Sequence, residues 1–215
     1  VPTGFGVGLT SISLGMTRAL ERSGLNVGFC KPIAQNLPGE NGPERSSELI
    51  ARTHPAINPP KSLALAEVER MLGDGQLDEI LEQVVHLCQL ASEGKDVLLV
   101  EGMVANRQTS YAAEANAKLA QALNAEVILV SAPDGESFAE LSDRIELQAQ
   151  QFGGYASPQM LGVIFNKVRD ENFTAQLKSQ SPLFKSGHFR VLGSIPWNAD
   201  LNAPRTSDVA ELMQA

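Results

Sequence analysis

The sequence predicts a three-layer α/β/α domain with a mainly parallel sheet, on three observations. Short aliphatic runs alternate with amphipathic stretches of helical spacing through most of the chain, so successive strands are joined by crossover helices and run parallel. The aliphatic runs are near-continuous rather than alternating, as strands covered on both faces require. A glycine-rich segment opens the chain directly ahead of a helical pattern, the arrangement by which a parallel sheet presents backbone amides to an anion.

Taken in order, segment 2–13 (PTGFGVGLTSIS) is a glycine loop leading into a helix with Ile12, Met16, Ala19 and Leu20 on one face. Strands are expected at 27–33 (VGFCKPI), 96–101 (DVLLVE), 126–131 (EVILVS), 161–166 (LGVIFN) and 189–195 (FRVLGSI). Between them, Leu77, Ile80, Leu81, Val84 and Cys88 share one helical face, and Phe138, Leu141, Ile145, Ala149 and Phe152 share another. Residues 111–123 form an alanine-rich helix suited to close packing. Segment 35–60, rich in Pro, Gly, Asn and Ser, breaks the alternation and reads as a long connection holding one helix near 44–53. In a doubly wound sheet the glycine loop follows the first, central strand, and Val1 stands just before that loop; the strand is expected outside the given sequence. Residues 208–215 (DVAELMQA) read as the opening of a further helix. The expectation is a single domain over 1–215 that is a fragment of a longer protein.

Composition narrows the classes. With 215 residues, 43% hydrophobic, 20% charged and 5% aromatic, one globular domain with a mostly aliphatic core is expected. The formal charge is -8 and no window gathers a run of Lys and Arg, so nucleic acid is not an expected partner. Cys30 and Cys88, the only two cysteines, lie outside any metal-ligand spacing and read as reduced core residues. No apolar run reaches the ~18 residues of a membrane helix and no signal peptide precedes the first motif; a cytoplasmic protein away from membranes is expected.

Four segments can carry chemistry. The loop with Gly4, Gly6 and Gly8 offers backbone N–H groups and a helix dipole to an anion whatever its side chains are. Against the pattern G-x-x-x-x-G-K-[ST] of P-loop NTPases, it is one residue short and carries Leu9 where the lysine belongs. Such a lysine contributes about 1.5–3 kcal/mol to phosphate binding and roughly 10²–10³ in rate. Thr10, followed by Ser11, either touches a magnesium ion or serves as a helix-start hydroxyl. Lys31 ends the second segment, where it reaches into the ligand crevice or is a solvated strand-end lysine. Glu101, ahead of Gly102, can hold magnesium. Asn166 and Lys167 end the fourth strand, where an Asn can read a base edge. Together these sites converge on one edge of the sheet, a shared crevice for an anion or effector. His54, His86 and His188 have no metal partners in the sequence: His86 rides beside an apolar helix stripe and the other two read as loop residues. No protein metal site and no catalytic constellation of the paired-carboxylate or G-x-S-x-G kind is visible.

The strings PTGFGVGLTSISLG, VGFCKPIAQNLPG, VLLVEGMVANRQ, LNAEVILVSAP, LGVIFNKV and VLGSIPWNADLNAPR resemble, in order through nearly the whole chain, the N-terminal domain of long-form bacterial phosphate acetyltransferases, which is itself similar to dethiobiotin synthetase. The resemblance implies a P-loop NTPase-like fold. The parent acyltransferases convert acetyl-CoA and phosphate to acetyl phosphate and CoA in a C-terminal catalytic domain that is not in this chain, so the fragment is expected to be non-catalytic. It further implies metabolite regulation, homo-oligomer assembly and acetate metabolism. In dethiobiotin synthetases the KP and VEG segments give ligand and magnesium contacts, and Lys31 and Glu101 match them; Leu9 departs from that family and agrees with the acetyltransferase version of the loop. A regulatory site for a nucleotide or small metabolite, with or without magnesium, is the leading expectation. The alternatives are an ATP-dependent ligase like dethiobiotin or cobyrinate amide synthases, in which Lys31 would replace the loop cation, and a purely oligomerising module.

Overall fold

The computed structural model describes residues 1–35, 43–105, 111–185, 187 and 189–199; His188 and the helix expected at 208–215 lie outside them. The glycine loop runs into α1 (Leu9–Arg22). β1 (Val27–Cys30) follows, its residues all buried. Then come α2 (Arg45–Thr53), α3 (Leu65–Gly73), α4 (Leu77–Ser92), β2 (Val97–Val100), α5 (Ala112–Ala122) and β3 (Val127–Ser131). The chain continues through α6 (Phe138–Gln150), β4 (Met160–Val168), α7 (Phe173–Gln180), α8 (Pro182–Lys185) and β5 (Val191–Pro196). Every strand pair is parallel, the outcome the alternating pattern requires.

The strands form two groups. β1 pairs with β2 in the register Val27 to Val97 through Cys30 to Val100, and β3, β4 and β5 lie in that order. On the free edge of β3, Pro2 bridges Val130 in parallel; Thr3 N–H donates to the Val130 carbonyl at 2.9 Å and Val130 N–H to the Val1 carbonyl at 2.8 Å. The start of the chain therefore runs alongside β3 toward the glycine loop.

Helix faces behave largely as their spacing predicts. Ile80, Val84 and Cys88 of α4 and Leu141, Ile145 and Ala149 of α6 are buried. In α1, Ile12 is buried and Met16 and Leu20 are half-buried, while Ala19 faces solvent. Cys30 and Cys88 are both buried and unoxidised; the hydrogen bond that Cys30 donates to Cys88, followed by burial, raises the Cys30 thiol well above its usual range.

The core is mostly aliphatic, as expected, with one aromatic chain inside it: Phe165 stacks edge-on against Phe173 with centroids 5.0 Å apart, and Phe165, Phe184 and Phe189 continue the chain. Other expectations are corrected. Three helices, α3, α7 and α8, were not anticipated. α7 buries only Phe173 and Leu177, two positions one turn apart, which gives too weak a periodicity to read. β4 runs past the expected end at Asn166 because a register shift lets Val168 pair with Pro196. His54 lies outside helix and strand, as expected, at the end of α2, and its Nδ1 is held 2.7 Å from Glu21 Oε2.

Candidate functional site at the glycine loop

The loop's shape follows from its glycines. Gly6 and Gly8 hold φ of 72° and 80°, the left-handed region that side-chain-bearing residues avoid. Gly8 is also the N-cap of α1 and has no side chain to cap with, which leaves the first amides of that helix turned toward the loop. A Cβ at Gly8 would stand 2.3 Å from Asn166 Nδ2; glycine here permits close approach of β4 as well as the turn. Leu9 is buried with Val7, Ile12 and Val130, so the side chain in the lysine position is used for packing.

Two clamps hold this loop. From the end of β4, Asn166 Nδ2 donates to the Val7 carbonyl at 2.9 Å and Lys167 Nζ to the Gly6 carbonyl at 2.9 Å. Lys167 itself adopts φ 59°, a conformation that turns its ammonium back over the loop. From α6, Arg144 donates to Thr3 Oγ1 at 2.8 Å and to the Ala132 carbonyl at 3.2 Å and pairs with Glu136. Both cations are bound to protein oxygens.

On the other side of the loop lies a buried polar chain. Thr10 Oγ1 and Ser46 Oγ are 2.8 Å apart, Ser46 Oγ donates to Glu101 Oε1 at 2.8 Å, and Lys31 Nζ sits 3.2 Å from the same oxygen. Lys31 also donates to the Gly102 carbonyl at 2.8 Å. Its side chain is 3% exposed and that of Glu101 2%. Burial of such a pair is tolerated because each charge is neutralised by the other and by further hydrogen bonds. The next residue, Met103, is bracketed by Asn116, which accepts from its N–H and donates to its carbonyl, both at 2.8 Å.

The structure thus brings Gly6, Gly8, Thr10, Lys31, Glu101, Asn166 and Lys167 to one sheet edge. Gly4 has open space around it, and Ser11 is exposed on the first turn of α1, outside the buried chain. Lys31 does not project freely into the crevice but is held by Glu101. Ser46 was not anticipated: it arrives on α2 through the long connection, and nothing in its local sequence marks it. Arg144 was missed for the same reason, as a lone cation on an ordinary amphipathic helix.

A magnesium ion would find Thr10 Oγ1 and Glu101 here. Glu101 Oε2 is buried and has no hydrogen-bond partner, an acceptor suited to a cation or a water. Among the described residues no group of three or more His, Cys, Asp or Glu gathers as a metal site, so such an ion would depend on the ligand's own oxygens. No helix of the described residues is long and apolar enough to cross a membrane.

A parallel α/β sheet with a glycine loop opening its first helix defines a P-loop NTPase-like domain, and the chain belongs to the AAA domain family, which it matches over residues 1–205. Over its whole length it is similar to the phosphate acetyltransferase of Pseudomonas putida, at 62% identity and covering 31% of that protein. It is also similar to the phosphate acetyltransferases of Nitrosomonas europaea, at 51% over 99% of this chain and 31% of that protein, and of Escherichia coli, at 32% over 100% of this chain and 33% of that protein. The chain spans about a third of the length of the curated relatives it matches.

Proposed function

We propose that this chain is a non-catalytic, ligand-binding and assembly domain of a cytoplasmic phosphate acetyltransferase. In this reading acetyl transfer between CoA and phosphate is carried out by a C-terminal domain of the same protein. The domain holds an anionic effector, a nucleotide or a small metabolite, at the glycine loop, and passes its occupancy to the catalytic domain within a homo-oligomer. Loop amides and Lys167 contact the anion, and Thr10 and Glu101 meet any magnesium that accompanies it.

One observation carries this reading. Leu9 is buried in the lysine position and Lys31, the natural substitute, is locked 3.2 Å from Glu101. An anion can be held by amides alone, but the charge that develops on a transferring phosphoryl group lacks the preorganised cation that would stabilise it. The test is a thermal-shift screen of the purified chain against nucleotides and carboxylate metabolites, with and without magnesium, alongside an ATPase assay. A ligand-dependent rise in Tm with no turnover is the expected result. Brisk magnesium-dependent ATP hydrolysis would overturn the reading in favour of a ligase; no ligand at millimolar concentration, with concentration-dependent association, would reduce it to assembly alone.

A further inference from the structure

Among the described residues the sheet β3–β4–β5 ends at β5. Val163 N–H donates to the Arg190 carbonyl and Val163 pairs with Val191, so by the alternation of a parallel ladder Val191 turns its own N–H and carbonyl to the open side. Native sheet edges are guarded against further pairing by charge, by proline or by a covering element. The run Val191–Pro196 (VLGSIP) carries no charge, and its one proline comes at the last position. Leu192 and Ile195, with Trp197 just beyond, are exposed, whereas the residues of the other four strands are all buried or half-buried.

Charge is placed at the two ends of this edge. Lys185 and Arg190 are exposed at its start; Lys185 follows Phe184, whose ring lies 5.6 Å from that of Phe189. Asp170 and Glu171 are exposed at its finish, where they line one hollow with Ser194, Pro196 and Trp197. Arg169 of the same hollow lies over the Trp197 ring at 4.5 Å, its charge engaged by the aromatic face, so the balance at this end is acidic.

We propose that β5 is a self-association edge, along which two copies of this chain pair antiparallel about a two-fold axis and extend the sheet across the interface. This rests on the assembly reading above and names the surface that carries it. Symmetry and charge commit the edge to a second copy. An antiparallel two-fold contact sets the start of one β5 beside the finish of the other. Lys185 and Arg190 of each copy then meet the partner's Asp170 and the partner's Glu171, twice over, while Leu192 and Ile195 supply apolar contact in the uncharged middle. A parallel arrangement would set cation beside cation. Within one copy the two ends stand about 20 Å apart at the rise of a strand, too far for Arg190 to reach Glu171 of its own chain.

The test is sedimentation of the purified chain over a concentration series, with Arg190→Glu and Glu171→Arg made singly. The unaltered chain is expected to show a monomer–dimer equilibrium, and each variant to weaken it by about tenfold or more, since like charges then meet at both ends of the contact. An equimolar mixture of the two variants is expected to recover the original association, because each altered end finds its complement across the interface; recovery on mixing also shows that both variants are folded. Leu192→Lys, which guards the edge in the manner of native edge strands, is expected to abolish the dimer with the circular dichroism spectrum unchanged. A dimer that all three variants leave intact would overturn the proposal while the assembly reading stands, with the contact on another face. Weakened association that mixing fails to restore would overturn the antiparallel pairing. A chain that stays monomeric at every concentration would overturn both the proposal and the assembly reading.

Discussion

Leu9 and Lys31 together set what the glycine loop can do. One gives its position to packing, and the other spends its charge on Glu101 in the interior. Because both Lys31 and Glu101 are buried, removing one strands the other: Lys31→Ala is expected to lower unfolding free energy by roughly 3–5 kcal/mol, measured by urea denaturation. Pairing it with Glu101→Gln is expected to recover most of the loss, since no lone charge then remains inside.

At the scale of elements, the site is positioned by helix starts and strand ends. α6 begins with a capping box in which Ser137 Oγ accepts from Glu140 N–H and Glu140 returns a bond to Ser137 N–H. Those hydrogen bonds hold the exposed Glu140 carboxyl below its usual range. Ser137→Ala is expected to cost about 1 kcal/mol in stability, read as a shift in the urea midpoint. The same change is expected to loosen the neighbouring Glu136–Arg144 pair and its grip on Thr3, visible as broadened Thr3 amide resonances. α2 matters differently. Its amphipathic face buries Ile50 and Ser46, and it is Ser46 that links Thr10 to Glu101; a helix that sequence places only roughly thus completes the polar chain of the site.

Over the whole molecule, the glycine loop is linked to both strand groups, to the end of β4 through Asn166 and Lys167 and to the end of β2 through Thr10, Ser46 and Glu101. If the loop holds an anion as proposed, occupancy is expected to raise Tm and to slow amide exchange on the Asn166–Lys167 clamp and on Gly102 alike, since both sides of the site contact the loop or its partners. A ligand that protected only one side would show that the loop and the buried Lys31–Glu101 pair act independently.

Much of this was legible beforehand. Continuous aliphatic runs such as 126–131 and the apolar faces of 77–88 and 138–152 placed most strands and long helices, because burial on both faces of a sheet leaves an unambiguous pattern. The glycine loop ahead of α1, the leucine in place of a lysine and the strand-end positions of Lys31 and Glu101 were also readable, as was the family through its ordered strings. What composition and spacing left hidden was partnership. Whether Lys31 met solvent, a ligand or Glu101 depended on which strand lay beside β1; Ser46 and Arg144 reached the site only because distant helices packed there. Local pattern encodes which face a residue occupies, since that is settled by its near neighbours in sequence. Which charges meet is settled by contacts across tens of residues, and only the folded arrangement could decide it.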